Sequence, residues 1–193
     1  MTNDISPGLE QVNARSVLGR PGKSTATAAT ENISSPRPRD FRESDFETLF
    51  KLDQECFPAG IAYSRNELMH YLSRPRAIAL VAESVQGNIC GFVVAESGRA
   101  AANGSSAVRA CAGHIITIDV SAPARRAGLG SRLMDAIESR LRAADCDRIY
   151  LEVAVDNLSA IAFYKRRGYV VVKTLPRYYD RVLDGLRMEK RLE

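Results

Sequence analysis

The segment from residue 117 to residue 144 constrains the fold of this chain more than any other. A β-branched strand ending at Val120 runs into a glycine-containing loop, and an amphipathic helix follows from about Gly128 to Ala144. Glycine lets a backbone approach a ligand closely, and the first amides of a helix lack partners within it, so this unit suits a phosphate. Arg125 and Arg126 would add charge-assisted contacts. A strand-to-helix turn in which glycine only permits tight packing explains the same pattern, and both interpretations stay open.

Helices and strands alternate through the rest of the chain from Arg37 onward. A capping box at Ser64 to Glu67 opens one of the helices. The periodicities predict helices at about 44–55, 64–73, 128–144 and 159–167, and strands at 78–83, 89–96, 114–120, 148–155, 169–175 and 186–190 after a short extended segment. The order β-αα-βββ-α-β-α-ββ favours one mixed sheet flanked by helices, an α/β (α+β) domain over residues 36–193.

Residues 1–35 have a different composition, rich in Ser, Thr, Asn, Ala and Gly with little apolar periodicity. Such a segment cannot bury enough surface to offset its ordering entropy, and we predict a disordered tail. The stretch from Gly19 to Ser24 ends like a phosphate loop. It has Val17 where that motif needs its first glycine, and no predicted strand precedes it. Residues 97–109 are also small and polar, which predicts a mobile loop between two strands.

Charge and composition exclude several classes of function. The net charge of +4 is small and its basic residues are scattered among acids, so no nucleic-acid partner is expected. No long apolar run or secretory signal is present, which predicts a cytoplasmic protein without a membrane partner. No cysteine pair has metal-ligand spacing, so no metal is expected, and reduced thiols are the simple expectation, although disulfides are not excluded, for the four cysteines Cys56, Cys90, Cys111 and Cys146.

A second group of chemically capable residues lies after the long helix. Leu151 and Val153 share one face of a predicted strand, so Glu152 faces the other way, toward solvent or a cleft. A carboxylate there can act as a general base, and the phenol of Tyr164 can protonate a leaving thiolate. A solvated strand residue and a helix core aromatic are the plainer interpretations of these two. Asn157 precedes the next helix where an N-cap is expected.

These blocks together resemble the GNAT superfamily of N-acetyltransferases over about residues 37–192. The resemblance rests on Gly113 to Val120, on Arg125-Arg126-Ala127-Gly128-Leu129-Gly130, and on Leu151-Glu152-Val153 with Asn157, Ala160-Ile161 and Tyr164. Within the superfamily the pattern is similar to the protein N-terminal acetyltransferases, both the bacterial ribosomal-protein alanine type and the archaeal and eukaryotic catalytic subunits. Arg177-Tyr178-Tyr179-Asp180 also resembles that branch, which carries a paired tyrosine between its last two strands.

The resemblance implies the GNAT fold, with the fourth and fifth predicted strands splayed apart and acetyl-CoA bound between them. Glu152 would be the base, directly or through water, and Tyr164 the acid that protonates the departing thiolate. His114 matches a position that helps to hold the catalytic water in some relatives, although a packed core histidine is equally expected. The residues expected to contact the donor, with pantetheine on the first three and pyrophosphate on the loop, are Ile118, Asp119, Val120, Arg125, Arg126, Ala127, Gly128, Leu129, Gly130, Ser131, Asn157 and Tyr164.

The acceptor side is less closely matched. Five residues fall where relatives clamp the first residues of a peptide, and packing within loops is the alternative for their aromatic rings: Phe57, Pro58, Tyr63, Tyr178 and Tyr179. Asp119 stands where relatives usually have a small apolar residue, and Ala124 where many have an aromatic. The Phe57–Tyr63 spacing is two residues longer than in the compact form of one eukaryotic branch. These departures bear on acceptor choice more than on the donor.

The expected reaction is direct transfer of an acetyl group from acetyl-CoA to a primary amine within a ternary complex. The resemblance and the chemistry of the amine favour the N-terminal α-amine of a protein or peptide, with a partner protein left open. An acetyltransferase of a small-molecule amine or a lysine side chain is the main alternative. A non-catalytic acetyl-CoA-binding module is a further one, against which the presence of both Glu152 and Tyr164 argues.

Overall fold

One mixed sheet forms the centre of the domain. The computed structural model describes residues 15–17, 38–57, 61–99, 111–179 and 181–192. Its strands are β1 (Arg15–Val17), β2 (Arg39–Asp40), β3 (Ala77–Glu83), β4 (Ile89–Arg99), β5 (Cys111–Val120), β6 (Cys146–Ala154), β7 (Val170–Tyr179) and β8 (Leu183–Arg191). Its α-helices are α1 (Phe46–Cys56), α2 (Arg65–Leu72), α3 (Leu129–Ala143) and α4 (Leu158–Arg166).

The strand order β2-β3-β4-β5-β6-β8-β7 confirms the predicted fold class and element order. All neighbours in this order are antiparallel except β5 and β6, which are parallel. The register of β5 with β6 runs from Cys111 opposite Cys146 to His114 opposite Tyr150 and goes no further, although both strands continue. The predicted splay of the two strands therefore begins directly after His114 and Tyr150, which form the apex of a wedge.

The sheet separates two hydrophobic cores. On one face, α3 presents a stripe repeating every four residues, Leu133, Ile137 and Leu141, which are fully buried against the sheet. On the other face, α1 and α2 bury Leu49 and Leu68 with Phe92 of β4. Because side chains alternate along a strand, each strand residue is assigned to one of these faces by its parity, except where a bulge intervenes, as between Val94 and Ala95.

Local sequence sets the element boundaries. The predicted capping box is confirmed at α2: Ser64 accepts from the amide of Glu67, and the Glu67 side chain accepts from the amide of Ser64 at 2.8 Å. Observed boundaries agree with the predicted ones to within a few residues, and the largest difference is at β7, which continues to Tyr179. The segment 97–109 was predicted to be a loop from residue 97, whereas β4 continues to Arg99 opposite Cys111.

Three residues of the predicted tail take part in the sheet. β1 pairs in parallel with β5, with Arg15 opposite Thr117 and Val17 opposite Asp119. β1 therefore occupies the part of β5 that β6 has left. For these residues the prediction of a disordered segment is corrected, because the backbone of the splayed strand offers them a ladder. The rest of the tail, residues 1–14 and 18–35, lies outside the described residues, and its predicted boundary stays a prediction.

Two features lie at the margins of the sheet. At the closed end of the wedge, Cys111 of β5 is bonded to Cys146 of β6, so the expectation of four reduced thiols is wrong for this pair. Within the described part of the chain, Cys56 and Cys90 are not disulfide-bonded. At the far edge, β7 leaves Val170, Val171 and Val172 exposed.

Candidate functional site

His114 and Glu152 meet at the apex of the wedge. Parity places Glu152 on the face of β6 opposite to Leu151 and Val153, as predicted, and there it is 5% exposed. Its Oε2 lies 2.8 Å from Nε2 of His114, which is 7% exposed. The interpretation of Glu152 as a solvated strand residue is therefore wrong. The pair joins a carboxylate to an imidazole in a nearly dry setting, which is an arrangement suited to accepting a proton.

Tyr150 and Arg187 belong to the same place, and sequence reasoning missed both. The register puts Tyr150 directly opposite His114 and puts Arg187 of β8 directly opposite Glu152. The Tyr150 ring stacks on the His114 ring, and the Arg187 guanidinium lies over the Tyr150 ring. The registers of β6 with β5 and with β8 were the missing information, and nothing in the residue pattern of these strands reports them.

The loop predicted to hold phosphate has a specialised backbone. Gly128 adopts φ +79° and Arg126 φ +62°, and Gly128 is the N-cap of α3. The left-handed conformation at residue 128 favours glycine, and the first amides of α3 face the loop without partners inside the helix. Arg126, Ala127 and Gly128 are exposed, whereas Leu129 and Gly130 are buried. The turn therefore offers backbone amides to a ligand on its outer side.

Arg125 in this loop and Arg132 at the start of α3 make different contacts. Arg125 turns back, with its Nε donating to the carbonyl of Val120 at 2.9 Å and Nη2 lying 3.7 Å from Sγ of Cys56. Arg132, on the first turn of α3, donates from Nη1 to the carbonyl of Ala127 at 3.4 Å. Its Nε and Nη2 atoms are buried and have no hydrogen-bond partner among the described residues. A cation with two unused donors beside a helix N-terminus fits an anionic group, and Arg132 was not among the predicted residues.

Asp119 distinguishes β5 from an ordinary apolar strand. It is fully buried, its Oδ2 accepts from Oγ1 of Thr117 at 3.4 Å, and its Oδ1 has no hydrogen-bond partner among the residues described. Burial, followed by the negative charge of Asp53, raises the pKa of Asp119 well above its ordinary value. Asp53 accepts from the amide of Tyr63 at 2.8 Å. The buried carboxyl groups of Asp119 on β5 and Asp53 on α1 therefore interact electrostatically, and Asp53 also binds the segment that follows α1.

Cys56 adjoins the same cluster. Burial, followed by the negative charge of Asp119, raises the pKa of its thiol to about 12. Its Sγ lies 3.5 Å from the carbonyl of Val120. A thiol held protonated is a poor nucleophile, which agrees with direct transfer that needs no cysteine.

Tyr164 and Asn157 lie on α4 and at its start. Tyr164 is fully buried, with its ring 5.6 Å from that of Tyr169. Burial, followed by the negative charge of Asp119, raises the pKa of the Tyr164 phenol above its usual range, so this phenol carries its proton at neutral pH. Asn157 caps α4 as predicted, its Oδ1 accepting from the amide of Ala160 at 3.1 Å.

The predicted acceptor residues come from two separate parts of the chain. Phe57 and Tyr63 are buried, and Tyr63 packs on Tyr71 at 5.2 Å with its hydroxyl 3.5 Å from the carbonyl of Ile116. Tyr178 and Tyr179 contact each other edge to face at 5.1 Å near the turn between β7 and β8. Pro58 lies outside the described residues. Their roles in binding an acceptor stay predictions.

The described part of the chain contains no group of three or more His, Cys, Asp or Glu side chains that could hold a metal ion. None of its helices is both long and apolar enough to cross a membrane.

Comparisons with known proteins agree with this fold. The sequence model of the acetyltransferase (GNAT) family matches residues 46–169. An N-alpha-acetyltransferase of Sulfurisphaera tokodaii is 29% identical over 145 residues, which are 74% of this chain and 85% of that protein.

Solved structures have the same architecture. Ard1 from Thermoplasma volcanium superposes with a TM-score of 0.66 at 27% identity, covering 81% of this chain and 97% of that one. Naa20 from Chaetomium thermophilum, solved in complex with a bisubstrate analogue, gives a TM-score of 0.68 at 28% identity, covering 80% of this chain and 86% of that one.

Proposed function

The chain belongs to the acetyltransferase (GNAT) family, and on that premise we propose that it transfers the acetyl group of acetyl-CoA to the N-terminal α-amine of a protein or peptide. The observation that carries the proposal is the buried contact of His114 with Glu152, 2.8 Å long, at the point where β5 and β6 separate. Relatives named N-alpha-acetyltransferase support the choice of amine.

The donor would be held at the start of α3 and along the part of β5 that β6 has left, in place of β1. When bound, acetyl-CoA supplies an acetyl group activated as a thioester. The outward amides of the loop up to Gly128, the first turn of α3 and the unused donors of Arg132 suit its phosphates. The backbone from Ile118 to Val120 would pair with the pantetheine arm, and Asn157 would contact the donor in addition to its capping role.

Glu152 would take up the proton that the attacking amine must lose, directly or through a water held with His114. The contact with His114 fixes the orientation of the carboxylate before the amine arrives. Positioned general bases contribute about 10²–10⁴-fold to a rate, so Glu152 is the residue on which turnover should depend most.

Tyr164 would donate its phenolic proton to the sulfur that leaves. Burial raises the pKa of this phenol, so it carries its proton at neutral pH. A backbone N–H near Val120 would stabilise the charge that develops on the carbonyl oxygen. No covalent bond to the enzyme is required.

The chemistry of the acceptor favours an α-amine. An α-amino group has a pKa of about 7.7–8.0, so about a tenth is neutral at pH 7, whereas a lysine with a pKa of about 10.4 is almost entirely charged. One carboxylate paired with one imidazole suits the less basic amine. Phe57, Tyr63, Tyr178 and Tyr179 are the aromatic residues proposed to contact the acceptor. A partner protein and a cytoplasmic location stay predictions from the sequence.

A peptide-library assay tests the proposal. Peptides with free or blocked N-termini, and with lysine present or blocked, are incubated with the full chain and acetyl-CoA, and mass spectrometry locates the acetyl group. We expect acetylation of free N-termini whether or not lysine is present. Modification confined to lysine, or to added polyamines or aminoglycosides, would favour the small-amine or lysine alternative. Acetyl-CoA binding without any acetylated product would favour a non-catalytic module.

A further inference from the structure

Four residues form one row straight across the sheet at the apex of the wedge. The registers place Glu96 of β4 opposite His114, His114 opposite Tyr150, and Tyr150 opposite Glu189 of β8. Glu152 and Arg187, opposite each other, form the next row. By parity all six side chains lie on the sheet face that also carries α1 and α2. His114 is therefore the centre of a polar patch built by four strands.

Tyr150 and Arg187 continue the His114–Glu152 contact as a stack. The rings of His114 and Tyr150 are 4.4 Å apart between centroids and 12° from parallel. The Arg187 guanidinium lies 3.9 Å from the centroid of the Tyr150 ring. The planar groups are thus layered in the order Arg187, Tyr150, His114, and the last of them contacts Glu152. A guanidinium over an aromatic face is attractive because of the ring's quadrupole.

The outer end of the stack is itself held. Nε of Arg187 donates to Oε1 of Glu189 at 3.1 Å, and the Arg187 side chain is about a third exposed. At the other side of the row, Glu96 is bound by Arg74 at 2.8 Å. Burial, followed by the negative charge of Glu152, raises the pKa of Tyr150, so its ring remains a neutral phenol. Every charged group around the imidazole therefore has a defined partner.

We infer that Tyr150 and Arg187 are positioning residues of the acetyl transfer, acting through His114. An imidazole can rotate about its terminal torsion, which is broad and roughly two-fold for this side chain. The ring of Tyr150 packs against one face of His114, and the Arg187 guanidinium packs on the Tyr150 ring. This packing restricts rotation of the imidazole and keeps Nε2 directed at Glu152. This inference rests on the proposed function, because the oriented carboxylate is the proposed base.

The test separates orientation from folding by pairs of variants. Y150F keeps the flat ring and removes only the hydroxyl, whereas Y150L removes the plane. R187K keeps the charge and removes the planar guanidinium, whereas R187M removes both. R191M, an exposed arginine on the same strand, is the control. Steady-state kinetics with an N-terminal peptide acceptor give kcat and KM, and proton NMR follows the two histidines of the chain.

We expect Y150L and R187M to lower kcat by about 10- to 100-fold, the range associated with small misplacements of catalytic groups, with an unchanged KM for acetyl-CoA. Y150F and R191M should retain the wild-type kcat, and R187K should fall between them and R187M. The His114 ring protons, shifted upfield by the Tyr150 ring, should move downfield in Y150L and stay in place in Y150F.

Wild-type kcat in folded Y150L and R187M would overturn the positioning role. If Y150L does not fold, a loss of kcat in Y150F equal to that in R187M would overturn it instead, because the flat ring would then not suffice. An unshifted His114 spectrum in Y150L would also contradict the stack. A wild-type chain that acetylates no amine would overturn the proposed function, while the spectrum would still test the stack.

Discussion

The donor half and the amine half of the proposed site are assembled in different ways. The donor half, from Ile118 to Arg132, is one continuous stretch in which strand, loop and helix follow each other. The amine half, at His114, Tyr150, Glu152 and Arg187, is gathered from β5, β6 and β8. Local segments bind by backbone amides and helix ends, whereas side chains from separate strands meet only if the register is exact. Changes in the two halves should therefore affect different kinetic constants.

The largest effect is expected from E152Q. The amide keeps the shape of the side chain and removes the base, so kcat should fall by about 10²-fold or more while the affinity for acetyl-CoA is retained. Steady-state kinetics and calorimetric titration of acetyl-CoA measure the two quantities. D147N, at an exposed carboxylate on the same strand, is the control. Unchanged turnover would remove Glu152 from the mechanism.

Y164F should have the next largest effect. Loss of the phenolic proton should slow release of the thiol and lower kcat by about 10-fold or more, without changing the donor affinity. Y169F is the matched control, because Tyr169 is another buried tyrosine of the same core whose hydroxyl lies 3.2 Å from Glu138. Full activity of Y164F would make Tyr164 a packing residue.

R132M tests the donor half. Hydrogen bonds to charged groups contribute about 1.5–3 kcal/mol, so loss of the unused donors should weaken acetyl-CoA binding by about 10-fold or more, with kcat at saturation retained. R140M, on the same helix and paired at the surface with Asp40, should bind as the wild type does. Equal affinities in both variants would show that Arg132 does not contact the donor.

D119N tests the buried carboxyl groups of Asp119 and Asp53 through the pH dependence of stability. Because the pKa of Asp119 is raised above 3.8 on folding, the native chain keeps a proton that the unfolded chain releases. The free energy of unfolding therefore falls as pH rises above about 4. D119N lacks this titration, so its free energy of unfolding should exceed that of the wild type at pH 7, with the gap closing toward pH 4. Urea unfolding across this range measures the gap, and a constant gap would contradict the shift.

The smallest effect is expected from deleting residues 1–35. β1 pairs with Thr117 to Asp119, which overlaps the stretch proposed for pantetheine, and one strand edge cannot serve both. The truncated chain should bind acetyl-CoA about twofold more tightly, as expected if the competent state is about half populated. Weaker binding would show instead that the tail contributes to the donor half.

The backbone features around the proposed donor half could be predicted from the sequence because their signals are local. Glycine at residue 128, the apolar repeat of α3 and the N-cap at Asn157 each report a backbone requirement within a few neighbours, and the structure has all three. The fold order followed from the same kind of periodicity. Parity on β6 was also sufficient to turn Glu152 away from the core that Leu151 and Val153 enter.

The rest depends on pairings that no local pattern reports. Tyr150 lies opposite His114 because β5 pairs with β6, and Arg187 lies opposite Glu152 because β8 pairs with β6. The β1 pairing exists because β6 leaves part of β5 unpaired, which is a property of the assembled sheet. The sequence gives no sign that Arg132 differs from an ordinary surface residue of a helix. Only the buried Nε and Nη2 atoms, which have no hydrogen-bond partner among the described residues, mark it as a candidate donor-binding residue. For Tyr63 the sequence left acceptor contact and packing both open, and the structure packs it in the core beneath α1 and α2.

The separation of the two halves has a consequence for the order of binding. Helix α3 covers one face of the sheet, while His114, Tyr150, Glu152 and Arg187 lie on the other. In the proposed function the two substrates would therefore approach from opposite sides and meet only at the wedge. Neither would block the entry of the other, and neither product would have to wait for the other to leave. Double-reciprocal plots should therefore intersect, and product inhibition should indicate random addition and release.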